Sequence, residues 1–162
     1  MKTEAAILVS TTKPLEIVDI EIPKLKQGQV LIELYFSGIC GTQLMEIDGK
    51  KGKDIWLPHC LGHEGIGKVV EKHSSVSKVK IDDTVVLSWI KGPGIEAGGT
   101  KYKWGKSNVN AGSITTFQKF AVISENRITK YTTKKSSHLD VCLLYTSPSP
   151  RDRTRSRMPS SA

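Results

Sequence analysis

The chain has 162 residues, of which 38% are hydrophobic and 6% aromatic, enough for one domain with its own core. It has no apolar run of the roughly 18 residues that a membrane span needs and no signal-peptide pattern, so we expect a cytoplasmic protein without a membrane partner. The net charge of +8 is partly due to four arginines in residues 145–162, and the lysines elsewhere are scattered, so we expect no nucleic-acid partner.

Residues 1–90 predict short β-strands separated by turns. The strongest strand signal is the β-branched run at residues 29–36, which lies between Gly28 and Gly38. Residues 42–47 predict the one short helix of this half. Further strands are expected at residues 5–9, 15–22, 67–71 and 84–88. Short strands at this spacing with few helices indicate a mainly β fold of the barrel or sandwich type.

The second half of the chain changes character twice. Residues 91–111 are rich in glycine and predict a long loop, after which strands are expected at residues 117–123 and 127–131. Residues 142–162 have little to bury and predict a disordered basic tail. This tail resembles translated adapter sequence, so we expect it not to be native, the alternative being a genuine basic tail. The folded domain is therefore expected at residues 1–141.

Two glycine-rich segments hold the residue types that carry chemistry. Cys40 lies in the first, and the adjacent His63 and Glu64 lie in the second. A thiolate, an imidazole and a carboxylate are the ligands that Zn²⁺ accepts in a tetrahedral site. Taken singly, a cysteine is more often a small buried side chain, and a histidine is more often part of a core or a surface. The three cysteines are too few and too irregular for a disulfide framework.

Taken together, the two segments resemble the signature of the zinc-containing alcohol dehydrogenases, in the medium-chain dehydrogenase/reductase superfamily. The family pattern is G-x-C-G-[ST]-D-x-H, followed roughly twenty residues later by G-H-E-x-x-G-x-V. Residues 38–45 read GICGTQLM and residues 62–69 read GHEGIGKV. The resemblance extends over residues 1–131. It implies a GroES-like, partly open β-barrel with short helices, which is the N-terminal catalytic domain of this family.

The resemblance also implies roles for individual residues. Cys40 and His63 would be ligands of one catalytic zinc, and Glu64 would lie beside the metal and ligate it transiently. The Thr42 hydroxyl would bond the substrate oxygen and pass on its proton. A zinc-polarised alcohol or carbonyl substrate would exchange hydride with NAD or NADP in the full-length parent, which we expect to be a homo-oligomer. His59 and Cys60 match no ligand of the family, and we expect Cys60 in the core.

The chain departs from the family pattern in several places. Gln43 replaces an aspartate that orients a zinc-binding histidine, and Met45 replaces a proton-relay histidine. Residues 89–112 hold no cysteine, so no second, structural zinc is expected. A Rossmann G-x-G-x-x-G motif is absent, and the third zinc ligand is missing unless Cys142 is its remnant. The resemblance therefore predicts a fragment that binds zinc weakly and is inactive alone.

Two other functions stay open. A zinc-free, quinone-reductase-like relative would have the same fold, but such relatives generally lack the cysteine and histidine that this chain keeps. A non-enzymatic GroES-like binding module would dock a partner through a mobile loop, for which residues 91–111 are the candidate. Zinc stoichiometry distinguishes the first function from these two.

Overall fold

A computed structural model describes residues 1–132, which form ten strands, one α-helix and one 3₁₀ turn. In chain order the elements are β1 (Lys2–Leu8), β2 (Glu16–Glu21), β3 (Gln29–Ser37), α1 (Gly41–Ile47), β4 (His59–Cys60), β5 (Glu64–Lys72), β6 (Thr84–Ser88), β7 (Thr100–Trp104), β8 (Ser107–Ala111), β9 (Phe120–Ser124), the 3₁₀ turn Glu125–Arg127 and β10 (Ile128–Lys130). The expected tail at residues 142–162, Cys142 and the domain boundary at residue 141 lie outside the described residues. No helix among residues 1–132 is long and apolar enough to cross a membrane.

The strands form two sheets. One is a closed barrel in the order β1-β2-β7-β8-β4, in which the parallel pair His59 and Asn110 joins β4 to β8. The other has five strands in the order β10-β6-β5-β3-β9. Both the barrel and the small amount of helix confirm the predicted mainly β, GroES-like fold class.

The position of β3 inside its sheet explains why its sequence begins with an apolar run. It pairs with β5 on one side and with β9 on the other, so its backbone is satisfied along both edges. Val30 and Ile32 pack into one hydrophobic cluster of the core, whereas Leu31 between them packs into the other. Because both faces of the strand are covered, successive residues can all be apolar, and the alternation of a half-exposed strand is not required.

The loop predicted at residues 91–111 is partly wrong, because its second half forms the β7–β8 hairpin. Strands β7 and β8 pair from Thr100 with Ala111 to Trp104 with Ser107. Tyr102 and Val109 point inward and are fully buried. The period-two signal is short and is diluted by the glycines before it, so composition alone indicated a loop.

The buried hydroxyl of Tyr102 ties β7 to β9. It accepts hydrogen bonds from the Val122 backbone N–H at 2.8 Å and from Gln118 Nε2 at 3.2 Å. Burial raises the pKa of Tyr102 well above its usual value, so the hydroxyl stays neutral. We expect Tyr102→Phe to leave the Val122 N–H unsatisfied, whereas Gln118 Nε2 keeps its bonds to Thr115. The loss should lower the free energy of unfolding by about 1–3 kcal/mol in urea titrations. A loss below about 0.5 kcal/mol would mean that the hydroxyl is not needed here.

Candidate active site

A cavity of about 1020 Å³ brings the two signature segments together. Cys40, Thr42, His63 and Glu64, all four residues singled out from the sequence, line it. The pairing of β3 with β5 is the reason. Ser37, at the end of β3, pairs with Gly65, near the start of β5. The chain therefore leaves β3 and enters β5 at the same end of the sheet. Segments far apart in sequence therefore meet at one opening.

Cys40 directly precedes α1, and Gln43 fixes its backbone. The Cys40 N–H donates to Gln43 Oε1 at 2.9 Å, and the Cys40 thiol is free and half-buried. Gln43 is itself buried, and its Nε2 has no hydrogen-bond partner among residues 1–132. Gln43, which stands where the family has a histidine-orienting aspartate, thus uses its side-chain oxygen to hold the Cys40 turn. Thr42 is exposed in the first turn of α1.

Close backbone approaches position the second segment. A β-carbon at Gly38 would overlap the Glu64 carboxylate, and the Gly38 N–H donates to the Glu64 carbonyl oxygen at 3.3 Å. Gly62 has a φ of +93° and lies against Thr116, directly before His63. Gly62 requires the absence of a side chain, whereas a β-carbon at Gly38 would displace the Glu64 side chain. The half-buried Glu64 carboxylate consequently lies over the turn that leads to Cys40.

The ligand atoms of Cys40, His63 and Glu64 do not form one compact triad. Among residues 1–132, the one group of three or more such side chains whose ligand atoms all lie within 4.8 Å of one another is Glu46, Asp54 and His59. Sequence reasoning gave His59 no role because it matched no family ligand. The compact group was missed because its three members are not spaced at any period that a sequence shows.

Cys60 is in the core, as predicted. It is 3% exposed and belongs to the hydrophobic cluster inside the barrel. Burial raises the pKa of the Cys60 thiol to about 12, so it is neutral and a poor metal ligand. Of the two cysteines in the described part of the chain, Cys40 is therefore the one suited to bind a metal.

The family follows from a match that covers most of the folded chain. The alcohol dehydrogenase GroES-like domain matches residues 26–133. The chain belongs to this family. S-(hydroxymethyl)glutathione dehydrogenase from Escherichia coli is 30% identical over 169 residues, which is 89% of this chain and 45% of that protein. The chain thus spans less than half the length of the curated relatives it matches.

Solved structures show the same fold. Benzyl alcohol dehydrogenase from Acinetobacter calcoaceticus superposes with a TM-score of 0.67 at 22% identity, covering 87% of this chain and 44% of that one. A quinone oxidoreductase from Pseudomonas syringae superposes with a TM-score of 0.64 at 18% identity, covering 86% of this chain and 36% of that one. Since both kinds of enzyme match the fold about equally well, the choice between them must come from the side chains in the cavity.

A buried arginine supports the opposite wall of the cavity in this GroES-like domain. Arg127 donates to the Trp89 carbonyl oxygen, and its guanidinium carbon lies 5.4 Å from the centre of the Trp89 ring. Its Nη2 is 2.9 Å from Glu96 Oε2, which Lys91 also approaches at 3.4 Å. Both Trp89 and Arg127 line the cavity. The glycine-rich segment before β7 is thereby attached to the 3₁₀ turn by the ion pair between Glu96 and Arg127.

The stability of this wall will depend on pH through Glu96. Hydrogen bonds from Ser113, Asn126 and Arg127 hold the pKa of Glu96 at about 2, below its usual 4.5, although burial acts in the opposite direction. A carboxyl group whose pKa is lowered by folding stabilises the fold above pH 4.5, and that contribution is lost as the pH falls towards 2.

The matched measurement compares the wild type with Glu96→Gln. We expect wild type to be the more stable protein at pH 7 and the difference in unfolding free energy to shrink at pH 3. The pKa values of Asp83 and Glu125 are also lowered. Because both proteins contain these two residues, the difference between their unfolding free energies reports on Glu96. A difference that is constant with pH would show that the charge of Glu96 contributes nothing.

Proposed function

We propose that this chain is the metal-binding catalytic half of a zinc-dependent oxidoreductase. The parent enzyme transfers hydride between an alcohol or carbonyl substrate and NAD or NADP. The observation that carries the proposal is the single cavity lined by Cys40, Thr42, His63 and Glu64. The family match supports an oxidoreductase, and the retained cysteine and histidine favour the zinc-dependent branch over the quinone-reductase-like one.

The side chains in the cavity fit a zinc ion by their chemistry. Cys40 offers a free, partly accessible thiol, and His63 offers an imidazole that borders the same space. Sulfur and nitrogen donors are those that Zn²⁺ prefers, and a carboxylate such as Glu64 is an acceptable third donor. In our proposal Cys40 and His63 would hold the ion, and Glu64 would bind it only transiently, while water or substrate exchanges. When bound, zinc supplies Lewis-acid polarisation of the substrate oxygen.

The remaining chemistry falls to Thr42 and to the walls of the cavity. The Thr42 hydroxyl accepts the proton of a substrate hydroxyl and passes it towards solvent, which it can reach because Thr42 is exposed. Met45, 48% exposed on the same helix, has no titratable group to continue a relay. Trp56 and Trp89 provide apolar surface that excludes water from the reacting centre.

The cavity is open on a side rich in apolar side chains. Trp56 is 64% exposed, Trp89 is 62% exposed and Ile90 is 73% exposed. Exposed apolar surface of this kind marks an interaction site. We propose that a nucleotide-binding half, of which residues 1–132 contain no part, covers this side in the parent enzyme. The domain formed by residues 1–141 is consequently inactive alone.

Cobalt substitution tests the assignment. A Co²⁺ ion bound by a thiolate has a charge-transfer band in the near ultraviolet, and we expect the purified chain to show it with one equivalent of Co²⁺ in that site. His63→Gln should weaken the binding that gives this band. Cobalt that binds without the band would refute the zinc site and favour the quinone-reductase-like or the binding-module alternative.

A further inference from the structure

Three side chains from three different parts of the fold converge at the wall of the cavity, which Glu46 and His59 line. Glu46 lies near the end of α1, Asp54 lies in the segment between α1 and β4, and His59 is the first residue of β4. His59 Nε2 is 2.7 Å from Asp54 Oδ2 and 3.8 Å from Glu46 Oε1. The side chains of His59 and Asp54 are each only 9% exposed. The group is therefore assembled by the tertiary structure and largely screened from bulk water.

Both ring nitrogens of His59 face oxygen atoms that only accept hydrogen bonds. Nδ1 is 3.2 Å from the Cys60 carbonyl oxygen, and Nε2 faces carboxylate oxygens of Asp54 and Glu46. A neutral imidazole has one N–H, so it can donate to only one of these two sides. When the Nδ1–H points to the Cys60 carbonyl oxygen, the Nε2 lone pair is free to bind a metal ion that the two carboxylates also bind. An Nδ1–H that is fixed by a carbonyl is also the usual arrangement behind a metal-ligating Nε2.

The charges around the group leave room for a cation. Lys51 pairs with the other carboxylate oxygen of Glu46 at 3.0 Å. The other oxygen of Asp54 accepts the Trp56 N–H at 2.8 Å. The negative charges of two carboxylates are thus opposed by the positive charge of one lysine. Burial acts to raise the pKa of Asp54, but the bonds from Trp56 and His59 outweigh it and keep the pKa below the usual value, so Asp54 is ionised.

We propose that Glu46, Asp54 and His59 bind a divalent first-row transition-metal ion, at a site separate from the zinc proposed at Cys40 and His63. One imidazole and two carboxylates are ligands that suit Zn²⁺, Co²⁺ or Mn²⁺. Ligand atoms at about 2.0–2.2 Å from an ion lie about 3 Å apart or more. The Glu46 spacing already meets this, and a small rotation of Asp54 away from His59 would complete the site.

The site would control the segment that carries Trp56. Asp54 holds the Trp56 backbone N–H, and Asn110 Nδ2 donates to the Trp56 carbonyl oxygen at 2.6 Å. An ion that binds Asp54 together with His59 would attach this segment to the barrel. Since Trp56 borders the large cavity, occupancy of the second site would order one wall of it.

Metal titration of the purified chain tests the proposal in the double variant C40S/H63Q, which lacks the first site. We expect this variant to bind one equivalent of Co²⁺ or Zn²⁺, and the cobalt form to show no thiolate charge-transfer band. Adding His59→Gln or Glu46→Gln should weaken binding by about tenfold or more. His73→Gln is the control, because His73 is a half-buried histidine that makes a hydrogen bond to Ser75 at 2.9 Å and lies outside the group.

Three results would overturn the second site. The first is a C40S/H63Q variant that binds no metal. The second is an affinity of that variant that Glu46→Gln leaves unchanged, Glu46 being a partly exposed position. The third is a nitrogen NMR spectrum, at saturating Zn²⁺, in which both ring nitrogens of His59 carry protons. The thiolate band of the wild-type chain requires a cysteine ligand, which the second site lacks, so failure of the proposed function is read separately.

Discussion

Cys40→Ser will abolish the thiolate-to-cobalt band of the chain and lower the zinc affinity of the first site by about 100-fold or more, beyond the roughly 10–100-fold expected for loss of an outer-shell partner. The reason is that Cys40 is the partly accessible free thiol of the cavity, whereas Cys60 is buried with its pKa raised to about 12. A cobalt titration followed in the near ultraviolet measures the loss directly, because the site at Glu46, Asp54 and His59 has no sulfur.

Cys60→Ala is the matched control for this substitution. It removes a long contact between Sγ and Gln118 Oε1 of 3.7 Å and should change stability but not the band. Cys142→Ser completes the set, since the third zinc ligand of the family is missing from the sequence unless Cys142 is its remnant. If the band survives in Cys40→Ser and disappears in Cys60→Ala, the metal is not where we place it.

Gly62→Ala will be among the most destabilising single substitutions in the domain, lowering the free energy of unfolding by about 3 kcal/mol or more. Gly62 has a φ of +93°, which disfavours any residue with a β-carbon. That β-carbon would also overlap the Thr116 hydroxyl and lie 2.8 Å from the Thr116 backbone nitrogen. The nitrogen is fixed by its hydrogen bond to the Leu61 carbonyl oxygen at 2.9 Å, so it cannot move aside.

Gly98→Ala separates the two causes. Gly98 has a φ of +72°, but a β-carbon there would meet no atom within 4 Å. We expect Gly98→Ala to lower the free energy of unfolding by about 1 kcal/mol, because only the backbone conformation, and no steric overlap, disfavours the β-carbon there. Urea unfolding of both variants gives the comparison. Equal losses at the two positions would contradict the close packing of Thr116 against Gly62.

The two walls of the cavity differ in how they are held. The wall with Cys40 and His63 rests on β3 and β5, neighbouring strands of one sheet that pair along their length with two register shifts. The wall with Trp89 depends on Arg127 and Glu96, whose contacts weaken at low pH. The wall with Cys40 and His63 is therefore expected to remain ordered under acidic conditions that loosen the wall with Trp89. This difference would suit the proposed zinc site, where the metal must stay in place while substrate exchanges.

Local patterns in the sequence were sufficient for most of the strands and for the helix. The run at residues 84–88 matches β6 in full, and the helix predicted at residues 42–47 begins one residue earlier, at Gly41. The strand was predicted correctly because a β-branched run after the Asp82-Asp83 turn leaves little choice of structure. The β7–β8 hairpin was missed because its alternation of buried and exposed residues is short and the preceding glycines resemble a loop.

By itself the sequence determined the family and the four candidate residues Cys40, Thr42, His63 and Glu64, because glycines at fixed offsets around them form a recognisable pattern. Only the tertiary structure decided which residues meet. The β3–β5 register brings Cys40 and His63 to one cavity, and closure of the barrel at β4 brings His59 to Asp54 and Glu46. Strand pairing acts between distant parts of the chain, and no local periodicity records it.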